Sequence, residues 1–192
     1  NCPGIKRVNN TAEIYWGNRI ELDMIDLMPK LKWVHFGSVG VNRLNKCSKK
    51  ELLITSSKGL VTNSIVTHVI SLVGLFSRSL DVFFKDIGRP FTRNDYEKNF
   101  NQLKNFNELN ILILGLGDIG KSLAEKLFEL NCTIDAVSRM QTKNHFITNH
   151  YELKECVNYL DKYDFIISLL PENQETKNFI NYNFLENMSQ NG

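Results

Sequence analysis

The chain is short of the features that would assign it to a specialised class. Its 192 residues hold four cysteines and four prolines, and Cys2, Cys47, Cys132 and Cys156 stand far apart with no C-x-x-C pair. That spacing indicates neither a zinc site nor a disulfide framework, so no metal is expected and the thiols fit the reduced state of the cytoplasm. Charge is nearly balanced, at a formal +2, and the Lys and Arg residues are scattered. Lys46, Lys49 and Lys50 read as a solvated turn, and no nucleic-acid partner is expected. No long hydrophobic run exists either. The longest, Val69 to Phe76, is broken by Ser71 and closed by Arg78, far short of a membrane span. Internal repeats and low-complexity tracts are absent. What remains is an apolar content of 42% and a charged content of 23%, ordinary for a globular α/β protein with a core of its own.

The most informative stretch is Asn110 to Gly120, Asn-Ile-Leu-Ile-Leu-Gly-Leu-Gly-Asp-Ile-Gly. Ile111 to Leu114 reads as a fully buried strand. From Ile119 onward, Leu123, Leu127 and Leu130 recur at helical intervals opposite Lys121, Glu125, Lys126 and Glu129. Between strand and helix, Gly115, Gly117 and Gly120 keep G-x-G-x-x-G spacing, the opening of a dinucleotide-binding βαβ unit. Gly115 serves the tight turn, Gly117 leaves the backbone open to a pyrophosphate, and Gly120 lets helix and strand pack closely. The N–H groups of Asp118 and Ile119 start the helix, where its dipole favours phosphate. Glycines in this spacing also serve turns that bind nothing. The flanking strand and helix favour the cofactor.

Other segments alternate strand and helix. Ala12–Trp16, Lys32–Phe36 and Leu52–Ile54 read as strands, with a helix through Leu22, Ile25 and Met28 ended by Pro29, and Leu60–Thr62 as a further short strand. Leu44–Lys50 reads as loop or a short helix. Asn63-Ser64 is expected to cap a helix running to Ile87, whose face of Val69, Leu72, Val73, Phe76 and Leu80 is long enough to serve a second subunit as well as the core. Thr133–Val137 is the second strand of the βαβ unit. Tyr151–Leu160 reads as a polar helix, Tyr163–Pro171 as a buried strand and Thr176–Met188 as turn plus helix. The architecture expected is a doubly wound parallel sheet, the Rossmann type, preceded by part of another α/β domain.

The residue after the second strand selects the cofactor. An acidic side chain there would accept from both ribose hydroxyls. Ser138 stands at that place, eighteen residues beyond Gly120, followed by Arg139. A hydroxyl and a guanidinium suit a 2′-phosphate, and Lys143 could add a second charge, which favours NADP(H) over NAD(H). The competing role for Arg139 is stacking on adenine from the surface. Asp135 lies inside the strand and reads as structural. A short-chain reductase would need Tyr-x-x-x-Lys, and neither Tyr151 nor Tyr182 has it. A methyltransferase usually keeps an acidic residue where Ser138 stands.

Taken together, these motifs resemble the D-isomer-specific 2-hydroxyacid dehydrogenases, and most of all their glyoxylate/hydroxypyruvate reductase branch. Leu31 to Asn42, Lys-Trp-Val-His-Phe-Gly-Ser-Val-Gly at its centre, is similar to the segment whose amides receive the substrate carboxylate. Val61 to Ser64 and the helix around His68 resemble the crossing into the cofactor domain. Phe165 to Thr176 resembles the strand and loop beside the nicotinamide ribose, and Phe179 to Met188 the helix after it. The resemblance implies hydride transfer between NADP(H) and a small 2-oxo acid. It implies a substrate domain of flavodoxin-like type over 1–64 and a dinucleotide domain over 65–192. Val39 and Gly40 would bind the carboxylate, with Trp16 and Gly17 lining the pocket, and Leu170, Pro171 and Thr176 would lie along the cofactor.

Two departures stand out. The segment between Ser64 and His68 is shorter than the family pattern, and Thr67 stands where a Glu is expected. The family's catalytic Arg, Glu and His would all fall beyond Gly192, so no catalytic residue is assigned. His35 reads as packed on its strand, His145 and His150 as surface loop residues. The expectation is a piece of a longer, cytoplasmic, homodimeric reductase that lacks its proton donor. The contrasting reading is a non-catalytic dinucleotide-binding or corepressor-like module of the same fold.

Overall fold

The computed structural model describes residues 9–18, 20, 22–37, 49–82, 88, 92–94, 97, 103–139 and 144–189. The chain divides into two compact units, 1–61 and 62–192.

The first unit is a three-stranded parallel sheet in the order β1 (Ile14–Trp16), β2 (Trp33–Phe36), β3 (Leu53–Ser56), with helix α1 (Leu22–Asp26) crossing from β1 to β2. Alternation fixes the faces of β2. Val34 and Phe36 are buried while Trp33 and His35 are half-buried. Ile20, Ile25, Met28 and Leu31 fill the core beneath that face. The segment Leu44–Lys50 falls almost entirely outside the described residues.

The second unit is a four-stranded parallel sheet ordered β6-β5-β4-β7, with β4 at Asn110–Leu114, β5 at Thr133–Val137, β6 at Asn149–Tyr151 and β7 at Phe165–Ser168. Helices α2 (Thr62–Ser77) and α3 (Asp118–Glu129) cover one face. Ile111, Ile113, Ile134 and Ala136 meet Val66, Val73, Leu123 and Leu127 there. On the other face Leu112, Leu114 and Val137 meet Cys156 and Leu160 of a 3-10 helix (Cys156–Lys162) and Phe184 of α4 (Tyr182–Glu186). Covering on both sides explains why β4 is an unbroken apolar run from Ile111 to Leu114, and why β5 is buried from Ile134 to Val137 even at Asp135. This is the doubly wound parallel architecture expected from the sequence. The chain leaves β4 for β5 and β6 on one side, then crosses to β7 on the other. The order in which strands are added therefore reverses between β4 and β7, the place where open α/β sheets form a ligand crevice.

Four elements differ from the sequence reading. Of Tyr163–Pro171, read as a buried strand, only Phe165–Ser168 is strand, and it is half-buried to exposed because β7 ends the strand order of its sheet. Helix α2 starts at Thr62, so Asn63 and Ser64 lie inside its first turn rather than capping it, and it ends at Ser77, ten residues before Ile87; residues 83–87 lie outside the described residues. Ser79 adopts a left-handed backbone (φ 50°), and Leu80 N–H closes back onto the Leu75 carbonyl at 2.8 Å, a termination that hydrophobic period does not reveal. Leu60–Thr62 forms a turn and the start of α2, because Gly59 (φ 88°) and the Leu60 N–H to Ser57 carbonyl bond reverse the chain. Tyr151–Leu160 is not a helix. Its first residue ends β6, pulled into the sheet by pairing with Val137, and the rest leads into the 3-10 helix.

Candidate functional site

The glycine turn sits at the carboxyl end of β4, at the point where the strand order reverses. Gly115 has φ 104°, and a Cβ there would come within 2.9 Å of the Leu169 carbonyl oxygen. Both backbone conformation and the neighbouring loop therefore demand glycine. A Cβ on Gly120 would lie 2.1 Å from the Gly115 carbonyl oxygen, so α3 rests directly on the turn. Gly117 is different. Its φ is −74°, open to any residue, and a Cβ there would meet nothing within 4 Å. The space in front of Gly117 is empty of protein. As N-cap of α3, Gly117 also offers no side-chain oxygen to the first-turn N–H groups of Asp118, Ile119 and Gly120. A helix start whose N-cap is a glycine facing open space has the backbone donors and the room that would suit a phosphate.

Two further loops leave the sheet at the same edge. Gly115 N–H donates to the Val137 carbonyl at 2.9 Å, which ties the turn to the end of β5. Ser138, half-buried, and Arg139, exposed, follow at once. Lys143 lies outside the described residues. On the other side, Leu169 N–H donates to the Leu114 carbonyl at 2.8 Å, and Leu170 packs into the core beneath. Pro171 and Thr176 continue this loop, which borders a cavity of about 410 Å³ lined also by Ser168, Phe179 and Ile180. Glycine turn, Ser138–Arg139 and Leu169–Thr176 thus meet along one edge.

Asp135, the acidic residue set aside in the sequence, is buried and engaged. Its carboxylate accepts from the Asn149 backbone N–H at 2.9 Å, the Asn149 amide at 3.0 Å and the Tyr163 hydroxyl at 2.7 Å. It fastens β6 to β5. Burial first, and then the bond to Asp135, push the Tyr163 hydroxyl far above the ordinary tyrosine range. Burial also pushes the Cys132 and Cys156 thiols up to about 11.

In the first unit, Trp16 ends β1 with its side chain 77% exposed, its indole edge-on to His35 at 5.2 Å. His35 is held at both ring nitrogens, Nδ1 2.8 Å from Thr55 Oγ1 and Nε2 3.3 Å from Ser57 Oγ. Trp33 Nε1–H donates to the same Thr55 hydroxyl at 2.8 Å. His35 is thus packed and polar at once, and Thr55 and Ser57, which the sequence reading passed over, fix its orientation. Their only signal was position, on or just past a strand parallel to the one bearing His35. Val39 and Gly40 lie outside the described residues; Gly37, shortly before them, leaves β2 at the edge where Trp16 stands. Of the other histidines, His68 is exposed on α2 and His145 meets Phe128 and Phe146 edge-to-face. His150 is not a surface loop residue. It belongs to β6, and both its ring nitrogens are buried without a hydrogen-bond partner among the described residues, because β6 joins the sheet.

Comparison with known proteins bears on the family and the fold. The family model for the NAD binding domain of D-isomer specific 2-hydroxyacid dehydrogenases matches residues 75–192. A hydroxyphenylpyruvate reductase of Plectranthus scutellarioides is 25% identical over 174 residues, which cover 90% of this chain and 54% of that protein. A D-specific alpha-keto acid dehydrogenase of Enterococcus faecium is 22% identical over 161 residues, covering 83% of this chain and 47% of its own. The chain therefore spans about half the length of the relatives it matches. Among solved structures, D-lactate dehydrogenase from Aquifex aeolicus, complexed with NAD and lactic acid, shares the fold with TM-score 0.74 and 21% identity, over 96% of this chain and 57% of that one. The NADPH-dependent glyoxylate/hydroxypyruvate reductase of Sinorhizobium meliloti, complexed with NADP and sulfate, gives TM-score 0.71 and 18% identity over 98% and 58%.

Proposed function

We propose, from the premise that this chain belongs to the D-isomer specific 2-hydroxyacid dehydrogenase family, that its second unit holds NADP(H) in preference to NAD(H). The open space before Gly117 at the start of α3 supports dinucleotide binding, and the observation that carries the preference is Ser138–Arg139, with no acidic side chain at that place, directly after β5. Phosphate oxygens in the space before Gly117 accept from the N–H groups of Asp118, Ile119 and Gly120, which the fold pre-orients. Asp118 acts through its backbone, since its carboxylate would repel a phosphate. Ser138 and Arg139, set beside the turn by the Gly115–Val137 bond, receive the 2′-phosphate, with Lys143 as a second cation. Leu170, Pro171 and Thr176 flank the nicotinamide half. When bound, the cofactor supplies the hydride for a 2-oxo acid.

The substrate would be a small 2-oxo acid such as glyoxylate or hydroxypyruvate. Support comes from the Leu31–Asn42 segment and from two relatives named as reductases, of hydroxyphenylpyruvate and of glyoxylate/hydroxypyruvate. Val39 and Gly40 receive its carboxylate through backbone N–H groups, and Trp16 walls the pocket. In this reading residues 1–64 contribute to the substrate domain and 65–192 to the cofactor domain of a cytoplasmic homodimer.

Titrating the chain with NADPH and with NADH, followed by the nucleotide's own fluorescence, tests the cofactor half. NADPH should bind roughly tenfold or more tightly, the worth of one charge-assisted contact. Arg139→Asp should remove that advantage and turn it toward NADH. Tighter NADH binding by the unaltered chain, or unchanged selectivity in the variant, defeats the assignment.

A further inference from the structure

The loop after β7 contains a closed set of hydrogen bonds centred on two side chains. Thr176 Oγ1–H donates to the Pro171 carbonyl at 2.5 Å, and the same oxygen accepts from the Asn173 backbone N–H at 3.0 Å. Asn173 Oδ1 accepts from the backbone N–H groups of Glu175 (2.9 Å) and Thr176 (3.0 Å). The Asn173 carbonyl takes the Lys177 N–H at 2.9 Å. The Thr176 hydroxyl thus has its proton and a lone pair committed inside the loop, and the Asn173 amide oxygen has both lone pairs filled.

Upstream, Leu169 is fixed by its bond to Leu114 and by its carbonyl lying where a Gly115 Cβ would be. Between these anchors stand only Leu170, its side chain in the core, and Pro171, whose ring sets φ. A segment tied at both ends cannot drift. It lies on the β7 side of the glycine turn, whereas Ser138–Arg139 lie on the β5 side. A dinucleotide whose adenosine ribose meets Ser138 and whose pyrophosphate meets Gly117 must send its other half toward Leu169–Pro171.

We infer that Asn173 and Thr176 are positioning residues for the nicotinamide half of the cofactor, acting through the course of Leu169–Pro171 rather than by contact. Asn173 gains a role that the motif reading did not give it, and Thr176 changes from a contact to a support. The inference rests on the dinucleotide reading above.

Calorimetric titration of the chain with NADPH and with adenosine 2′,5′-bisphosphate, and with NADH and ADP in parallel, tests it. Thr176→Val and Asn173→Ala should each weaken the dinucleotide about tenfold while leaving the adenosine half within about twofold. Thr176→Ser and Asn173→Asp, which keep the accepting oxygen, should restore dinucleotide binding. Equal losses for dinucleotide and adenosine half, or no loss for either, overturn the positioning role. An unaltered chain that binds none of the four probes overturns the dinucleotide reading instead.

Discussion

Gly117 and Gly120 belong to one motif, yet they are glycine for separable reasons. At Gly120 a methyl group would overlap the Gly115 carbonyl oxygen, so Gly120→Ala should force α3 away from the turn. Overpacking of this kind costs about 1–3 kcal/mol, and more where backbone must yield. At Gly117 the backbone angle is ordinary and the space is empty. Gly117→Ala should leave stability nearly unchanged, because a gain of up to about 1 kcal/mol through the less flexible unfolded chain is offset by alanine's poorer fit at the N-cap. It should nevertheless weaken nucleotide binding, since the methyl group stands where the phosphates approach. Thermal melts together with nucleotide titrations of both variants check this. Loss of binding without loss of stability at Gly117 alone is the expected signature. If Gly117→Ala binds as well as the unaltered chain, the phosphate cradle is misplaced.

At the scale of elements, legibility followed burial. Strand β5 is recovered as Thr133–Val137 and β4, read as Ile111–Leu114, lacks only Asn110, because both are buried between two covered faces. Strand β6 has three residues, two of them polar, and is made by pairing with β5 and by the Asp135–Asn149 bonds. Nothing local announces it. Helix α2 could be found but not measured, since a left-handed serine, not a change of period, stops it. The site divides similarly. The glycine turn and the Ser138–Arg139 pair each stand out as a short motif in the sequence, and the structure sets them side by side, whereas the His35–Thr55–Ser57 set joins residues twenty or more apart and exists only after folding. The same layer around β5 predicts an alkaline limit to stability. Cys132 directly precedes β5, and Cys156 and Tyr163 pack on the sheet; burial raises both thiols from 9.0 to about 11. Unfolded thiols release protons from about pH 9 while native ones retain them to about 11, so the unfolded state binds fewer protons in that window. Stability should be full below pH 9 and fall steadily toward pH 11, with Tyr163 adding the same sign above the ordinary tyrosine range. Urea unfolding at half-unit pH steps measures it, and a flat profile from 8 to 11 would contradict the burial argument.

At the scale of the molecule, each unit carries its own core, Ile20 to Phe36 in the first and the two faces of the β4–β7 sheet in the second. Helix α2 opens the second unit and uses only part of its apolar surface there. Val66 and Val73 are buried, but Leu72 is 40% exposed, Phe76 52% and Leu80, just past the helix, 43%. Leu72 and Phe76, one turn apart, form an exposed apolar stripe on one side of the helix, and Leu80 is exposed just past its end, where solvent exposure has no benefit to a lone chain. Covering that stripe is the physical reason to expect the homodimer proposed above, with a second copy presenting the same surface about a twofold axis. Sedimentation velocity over a concentration series should show a dimer. Phe76→Glu, which places a charge on the stripe without touching the buried residues, should shift the species to monomer while leaving the melting temperature of the dilute protein nearly unchanged. A monomer throughout for the unaltered chain, or a dimer that survives the substitution, would assign this stripe to something other than a second copy.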